Sequence, residues 1–470
     1  MLIRGKRLSS KEMLGVYSPY DNELVGEVAK SGPECVEEVV SVAQEGFAEM
    51  REMPTGQRIE ILEKTAARML EYREELAKII TLEVGKTINE SRVEVTRAAG
   101  TMRLSAAAAR ELSGSTVPMD LSGKSSRIGF YQRVPVGIVL AITPFNVPLN
   151  LVCHKVGPAL GAGNSVIIKP ASKTPLIAMK LVEILLECGL PENAVTVVCG
   201  SGETLGAALV MDKRVRKVSF TGSYDVGENI CRMAGLKKVS MELGNNGPVI
   251  VTSETNIPLV AEKICRLGYA VAGQVCISVQ RVYAHRSIQE HLLEEMKKFS
   301  ESLIVGNPLD EKTQMGPMIT PKALGEAKDK IEAALAGGTR LITGFKSEGN
   351  ILHPTILADA AENSVVIQEE MFAPVITVNA YDDLDKAIDF VNNTRYGLQS
   401  SIFTNNLSDA MKFIKEVDMG GVVINEACAC REDVMPYGGI KDSGIGREGP
   451  AYAMQEMTEY KMIIIDKNLG

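Results

Sequence analysis

The 470-residue sequence contains no tryptophan, and its aromatic fraction is only 5%. So few rings argue against a large apolar ligand pocket. An excess of positive charge is missing as well: Lys plus Arg number 51 against 59 Asp plus Glu, a net charge of −8. Nucleic acid is therefore not an expected partner. Apolar runs such as Val136 to Ile142 fall far short of the ~20 residues a spanning helix needs, so no membrane association is expected. The opening Met1-Leu2-Ile3-Arg4-Gly5-Lys6 lacks a signal peptide's apolar stretch. The nine cysteines are odd in number and scattered without a paired framework; reduced thiols and a cytoplasmic location are the expectation. The four histidines, His154, His285, His291 and His353, show no zinc-type spacing, and Cys428-x-Cys430 has no companion ligands. No metal is expected.

What is there is an ordinary globular composition, 45% hydrophobic and 23% charged, which excludes disordered and disulfide-scaffold classes. At ~150 residues per domain the length suggests about three domains, or two with an elaboration. Ile59, Leu62, Ala66, Met69, Leu76 and Ile79 recur at helical spacing and predict a surface helix from Thr55 to Ile80, with Thr55 as its cap. Between Val136 and Val251 short apolar runs alternate with amphipathic stretches. Val136–Ile142, Val166–Ile168, Val195–Cys199, Val218–Phe220 and Val249–Val251 read as buried strands, and Thr174-Pro175 opens a helix that Gly189 and Pro191 close. This alternation implies βαβ units and a parallel sheet, with ligands bound beyond the carboxyl ends of the strands. A second alternation from Thr252 to Val434 gives helices Pro258–Val271 and Ile288–Leu303 and strands Val365–Ile367 and Gly421–Ile424. The tail Met462–Ile465 reads as a very apolar strand. On a free edge it is an aggregation hazard, so pairing with another subunit is expected.

Two glycine motifs fail their context. Gly444-x-Gly446-x-x-Gly449 follows no strand and reads as a turn, and Gly85-Lys86-Thr87 has Ile80 where a phosphate-binding loop needs glycine. More informative are four segments that keep a polar or reactive residue at an apolar strand-to-loop junction. They are Thr143-Pro144-Phe145-Asn146, Ile168-Lys169-Pro170-Ala171-Ser172, Met241-Glu242-Leu243-Gly244 and Gly273-Gln274-Val275-Cys276. With Phe220-Thr221-Gly222-Ser223, Glu369-Glu370-Met371-Phe372-Ala373-Pro374, Tyr396-Gly397-Leu398 and Pro436-Tyr437-Gly438-Gly439, all eight falling along the chain in the family's order, the sequence resembles the aldehyde dehydrogenase superfamily from about residue 15 to 465. Cys276 follows Glu242 by 34 residues and Lys169 follows Asn146 by 23, both as in that family.

The resemblance implies an α/β aldehyde dehydrogenase fold. A Rossmann-like cofactor domain is expected at 1–117 and 137–244, a catalytic domain at 245–435, and a small β oligomerisation element at 118–136 and 452–470, in a homodimer or homotetramer. An aldehyde offers no leaving group besides hydride, so a nucleophile must first form a tetrahedral adduct. Cys276 fits that role, its thiolate giving a reactive thioester. Asn146 resembles the family's oxyanion donor, acting with the Cys276 backbone N–H. Glu242 is the candidate base for thioester hydrolysis, since burial at a strand end raises its pKa. Its presence favours release of a free acid over transfer to coenzyme A. The family motif continues Glu-Leu-Gly-Gly, whereas Gly244 is followed here by Asn245-Asn246.

Cofactor contacts carry over to Thr143, Pro144, Phe145, Lys169, Phe220, Gly222, Leu243, Glu370 and Phe372. Lys169 resembles the adenosine-ribose ligand and Glu370 the nicotinamide-ribose ligand, and Ser223 opens a helix that resembles the pyrophosphate contact. Where NAD-specific relatives often carry Glu, this chain has Ser172, followed by Lys173. That change removes repulsion of a 2′-phosphate, so either NADP is favoured or both NAD and NADP are accepted. His154 and Arg431 are the candidate substrate residues. Arg431 either recognises an anionic group at the pocket mouth or forms a surface ion pair with Glu432 or Asp433. The pattern is most similar to the lactaldehyde and non-phosphorylating glyceraldehyde-3-phosphate branch. Succinate semialdehyde and sulfo- or phosphono-aldehydes are alternatives; an acyl-CoA-forming enzyme and a non-catalytic scaffold are the remoter ones.

Overall fold

A computed structural model describes residues 1–10 and 12–468. The longest helix among the described residues is α1 (Ile88–Glu111), started by a capping box in which Thr87 and Glu90 exchange side-chain and backbone hydrogen bonds. An eight-stranded sheet follows, built on β1 (Ile138–Ile142), then α2 (Asn150–Gly161), β2 (Ser165–Lys169), α3 (Pro175–Glu187), β3 (Val195–Val197), β4 (Val215–Thr221), α4 (Tyr224–Ala234) and β5 (Lys238–Glu242). These five strands are parallel in the order β3-β2-β1-β4-β5. The chain winds outward from β1 through β2 to β3, then returns to β1's other side as β4. That reversal makes a crevice at the carboxyl ends of β1 and β4. Val139, Leu140, Ala141, Val166, Ile167 and Ile168 are completely buried, which is why these strands read as unbroken apolar runs.

A seven-stranded sheet holds Arg340–Thr343, Thr355–Ala358, Val375–Tyr381, Arg281–His285, Pro248–Val251, Gln399–Phe403 and Gly421–Ile424, parallel except for its first, antiparallel edge. A third, antiparallel sheet joins Ser115–Val117, Arg127–Pro135 and Thr458–Asp466. The tail strand is thus paired within its own chain, from Thr458 against Pro135 to Asp466 against Arg127. Its outer edge has no partner in that sheet among the described residues, and the expected pairing with another subunit falls to that edge. Residues 469 and 470 of the expected oligomerisation element lie outside the described residues.

Several expectations are corrected. The helix expected at Thr55–Ile80 is two helices, Thr55–Glu71 and Arg73–Val84, broken at Tyr72; Pro54 precedes the first, and Thr55 is its first helical residue rather than a side-chain cap. Val365–Ile367 lies in a helical turn, Val365–Gln368; three apolar residues carry too little periodicity to separate a strand from a buried helix. The helix expected to reach Val271 ends at Gly268, because Val271 and Ala272 adopt left-handed backbone conformations. Gly444–Ile445 is a short strand rather than a turn, pairing Ile445 with Met241 and Gly444 with Glu242 on the edge of β5.

Candidate active site

The crevice at the strand ends collects the expected cofactor residues. Thr143, Pro144 and Phe145 follow β1, Lys169 ends β2, Phe220 lies near the end of β4, and Gly222 and Ser223 lead into α4. The Gly222 N–H donates to Glu242 O at 3.0 Å, tying the α4 entry to the end of β5. Ser223 occupies the N-cap of α4 without a side-chain capping bond, so the first N–H groups of this helix have no side-chain acceptor there. Ile142, Lys169, Gly206, Val226, Asn229 and Ile230 are among the residues lining a cavity of about 690 Å³. Gly206 faces the Lys169 side chain, where a Cβ would make ordinary van der Waals contact at 3.5 Å. Burial lowers the pKa of Lys169. Ser172 and Lys173 are exposed at the same edge, and no carboxylate replaces the Ser172 hydroxyl. This combination of parallel-strand ends, an open cavity and a helix start fits a dinucleotide.

On the opposite wall, Glu370 accepts the Asn245 N–H at 3.0 Å, and burial pushes its carboxyl up to about 7. A Cβ on Gly244 would stand 2.6 Å from a Glu370 carboxylate oxygen, which explains glycine there. Asn245 sits where the family motif has a second glycine, and its side chain donates to Gln399 O at 3.1 Å. The positive φ in this loop falls on Gly247 instead, so asparagine is accommodated at 245. Phe372 packs edge-on against Phe145, with ring centroids 5.9 Å apart. Leu243 is 7% exposed and packs into the core around β4 and β5.

Cys276 is reached through three consecutive left-handed residues: Val271 (φ 51°), Ala272 (φ 53°) and Gly273 (φ 71°). A β-branched residue in that region is strained by roughly 1–3 kcal/mol. The turn is held from outside, because Glu90 of the α1 capping box accepts the Val271 N–H at 2.8 Å. Gln274 braces its other side, donating to Val271 O at 3.0 Å and accepting from Ile319 N at 2.9 Å. Cys276 is partly exposed, and its Sγ lies 3.0 Å from the Tyr437 hydroxyl. Burial pushes the thiol up to about 11, against the hydrogen bond from Tyr437.

Asn146 belongs to the same centre: its Nδ2 donates to Gln274 O at 2.8 Å, leaving the second amide hydrogen for another acceptor. A buried ion pair fixes its backbone. Lys86 Nζ lies 2.5 Å from Glu94 and donates to Asn146 O at 3.1 Å. The other oxygen of Glu94 accepts the Leu149 and Asn150 N–H groups at 2.8 and 3.1 Å, at the start of α2. The first turns of α1 therefore anchor both the asparagine and the turn before the thiol.

Glu242 is 4% exposed, and its Oε2 has no partner. Burial first, then the neighbouring Glu448 charge, hold its carboxyl well above the ordinary range. Burial also pushes Glu448 upward, but Lys155 and Arg431 outweigh it and keep Glu448 ionised; each lies 3.0 Å away. Lys155 also donates to Thr221 at 2.8 Å. A Cβ on Gly438 would come within 2.9 Å of Glu242 Oε1, so this glycine makes room for the carboxyl.

Arg431 is not a surface residue paired with Glu432 or Asp433. Its side chain is 10% exposed, pairs with Glu448, and lies 3.8 Å above the Tyr437 ring. His154 is fully buried, with Nε2 2.9 Å from Asp433 and 3.3 Å from Arg431. Burial, then Arg431, lower its pKa, so the ring is neutral. The shorter contact assigns the proton to Nε2 and leaves Nδ1 as an acceptor. His154 Nδ1 and Arg431 Nε are both buried without partners. Asp433 is held in turn by Arg97, at 3.0 and 2.8 Å, and by Asn150 at 3.0 Å.

The candidate residues thus fall into one connected region spanning the ends of two sheets. Sequence reasoning missed Lys155, Glu448, Asp433, Arg97 and the Lys86–Glu94 pair. Lys155 did carry a signal: it is charged within a helix whose every residue is buried. Among the described residues, no group of three or more His, Cys, Asp or Glu side chains is placed to hold a metal.

A Rossmann-type strand order beside a thiol, an amide and a buried carboxylate defines an α/β oxidoreductase with a dinucleotide site. The chain belongs to the aldehyde dehydrogenase family, whose model matches residues 7–463, and its reaction class is NAD(P)-dependent aldehyde oxidation. It is 42% identical over 467 residues to the 3-sulfolactaldehyde dehydrogenase of Priestia aryabhattai, covering 99% of this chain and 98% of that one. It is 38% identical over 471 residues to the lactaldehyde dehydrogenase of Methanocaldococcus jannaschii, covering 99% and 100%. Among solved structures, the glyceraldehyde-3-phosphate dehydrogenase GapN of M. jannaschii, complexed with NADP, superposes with a TM-score of 0.94 at 38% identity, covering 98% of this chain and 100% of that one. No helix among the described residues is long and apolar enough to cross a membrane.

Proposed function

We propose that the enzyme oxidises a small 2-hydroxyaldehyde bearing one anionic group, of the 3-sulfolactaldehyde type, to the free acid. The supporting observation is the pair of buried, unpartnered atoms, His154 Nδ1 and Arg431 Nε. The first accepts a hydroxyl proton and the second donates to an anion. The charges around them fit a single negative group: Arg97, Arg431 and Lys155 face Asp433 and Glu448, leaving one net positive charge while Glu242 and His154 are neutral. Relatives are named for 3-sulfolactaldehyde and lactaldehyde, and a structural relative for glyceraldehyde-3-phosphate. All three substrates are 2-hydroxyaldehydes.

In this reading the Cys276 thiolate adds to the aldehyde carbon. Asn146 and the Cys276 N–H donate to the developing oxyanion; losing one such donor typically costs ~10²–10³ in rate. NAD(P), when bound, supplies the hydride acceptor. Lys169, Gly222, Ser223, Glu370 and Phe372 hold it, and Ser172 with Lys173 admits the 2′-phosphate of NADP. Glu242, in its ionised form, then takes a proton from the water that hydrolyses the Cys276 thioester. Residues 1–117 with 137–244, 245–435, and 118–136 with 452–470 form cofactor, catalytic and oligomerisation units. The outer edge of Thr458–Asp466 joins subunits into a dimer or tetramer, and the scattered unpaired cysteines suit the cytoplasm.

The test is a kcat/KM panel of 3-sulfolactaldehyde, lactaldehyde, glyceraldehyde-3-phosphate and succinate semialdehyde, each with NAD and with NADP. The anionic 2-hydroxyaldehydes should lead, the sulfonate first, with NADP accepted. A clear preference for succinate semialdehyde, which lacks the hydroxyl, would remove His154 from the account.

A further inference from the structure

Among the described residues, Cys276 Sγ has one hydrogen-bonding partner, the Tyr437 hydroxyl at 3.0 Å, and that hydroxyl has no other. The tyrosine is rigidly mounted. It is 3% exposed, its ring packs with Ile277 and Leu398, and its backbone exchanges two hydrogen bonds with Glu448, at 2.6 and 3.2 Å. The Arg431 guanidinium lies 3.8 Å above the ring. A cation on the ring face withdraws negative charge from the phenol and makes its O–H a stronger donor.

A thiol and a thiolate use such a partner unequally. A thiol is a weak donor and a weak acceptor, whereas a hydrogen bond onto a charged sulfur is charge-assisted. The contact therefore favours the ionised form. We propose that Tyr437 is a catalytic residue whose hydroxyl donates to the Cys276 thiolate, populating the nucleophile and aiming it, while Arg431 strengthens that donor from the ring face. Here Tyr437 is a donor throughout and never a base, consistent with burial holding its own ionisation well above the ordinary value. The thiol proton leaves to water. When sulfur bonds to the aldehyde carbon its charge passes to the oxygen, and the Tyr437 bond weakens. This inference rests on Cys276 being the nucleophile.

Losing a hydrogen bond to a charged group lowers the thiolate population roughly tenfold. Each remaining thiolate is more nucleophilic, by roughly threefold for a Brønsted slope of ~0.5. The Tyr437→Phe enzyme should thus be alkylated by iodoacetamide at Cys276 roughly threefold more slowly than wild type across pH 7–9, with the rate read from the mass of the Cys276 peptide. NADP affinity should be unchanged, since Tyr437 does not line the cofactor cavity. A 3-fluorotyrosine encoded at position 437 keeps the shape with a stronger donor, and should move alkylation the other way. Wild-type alkylation rates in both variants would overturn the proposal, and the fluorinated enzyme decides it alone if the phenylalanine enzyme does not fold. Cys276→Ala separates the two levels of inference. If that variant retains turnover, the nucleophile assignment fails; if it is inactive while both Tyr437 variants alkylate as wild type, only the role of Tyr437 falls.

Discussion

Replacing Lys86 by Met removes the cation from a pair in which both side chains are only 3% exposed. Glu94 keeps its two backbone donors at the start of α2 but loses its counter-ion, and stranding a buried charge in this way destabilises by about 3–5 kcal/mol. For a domain of this size that corresponds to a fall in Tm of roughly 10 °C. The same substitution removes the donor on Asn146 O, so the oxyanion amide loses its backbone anchor. Displacement by a fraction of an ångström should lower kcat/KM roughly 10- to 100-fold, because the amide is aimed at charge that develops only in the transition state. Cofactor affinity should hold, since Lys86 lies outside the dinucleotide crevice. The Lys86→Met/Glu94→Gln double variant leaves no stranded charge, while its Gln carbonyl still accepts from α2, so it should recover at least half of the lost Tm. Scanning calorimetry and steady-state kinetics on the three variants check this. A Lys86→Met enzyme within 2 °C of wild type and with unchanged kcat/KM would refute the anchoring role.

Arg431→Ala should raise KM for 3-sulfolactaldehyde roughly 30-fold, the loss of one charge-assisted hydrogen bond, and raise it much less for neutral lactaldehyde. Equal effects on both would show that the arginine serves Glu448 alone. Ser172→Glu restores a carboxylate near the expected ribose site, so KM for NADP should rise at least ~10-fold with little change for NAD. An unmoved NADP KM would place the 2′-phosphate elsewhere.

Much of this was readable in order along the chain. Four of the five parallel strands are largely buried on both faces, so Val166–Ile168 or Val218–Phe220 stood out as apolar blocks. The reactive residues were visible because Asn146, Lys169, Glu242 and Cys276 interrupt or end such blocks. What stayed hidden depends on contacts between distant segments. Glu448 meets Lys155 across 293 residues, and nothing in Gly446-Arg447-Glu448-Gly449 announces that meeting. Arg431 left two readings open because its local neighbours are acidic; the fold turns it inward, onto Tyr437 and Glu448. Tyr437 belonged to a recognisable motif, yet its hydroxyl gained meaning only when the turn at Val271–Gly273 brought Cys276 within 3.0 Å. The left-handed Val271 was also unreadable, since a β-branched residue there depends on outside support from Glu90.

The central claim is that Glu242 activates water to hydrolyse a Cys276 thioester. Burial and Glu448 raise the Glu242 pKa, so the base form grows with pH and wild-type turnover should climb with pH above the ordinary carboxylate range. The most direct measurement mixes Glu242→Gln enzyme with saturating 3-sulfolactaldehyde and NADP, follows NADPH by stopped flow, and weighs the Cys276 peptide after acid quench. The account predicts a burst of about one NADPH per subunit, a stall insensitive to pH, and an acyl mass on Cys276. Steady turnover at the wild-type rate with an unmodified Cys276 peptide would contradict it.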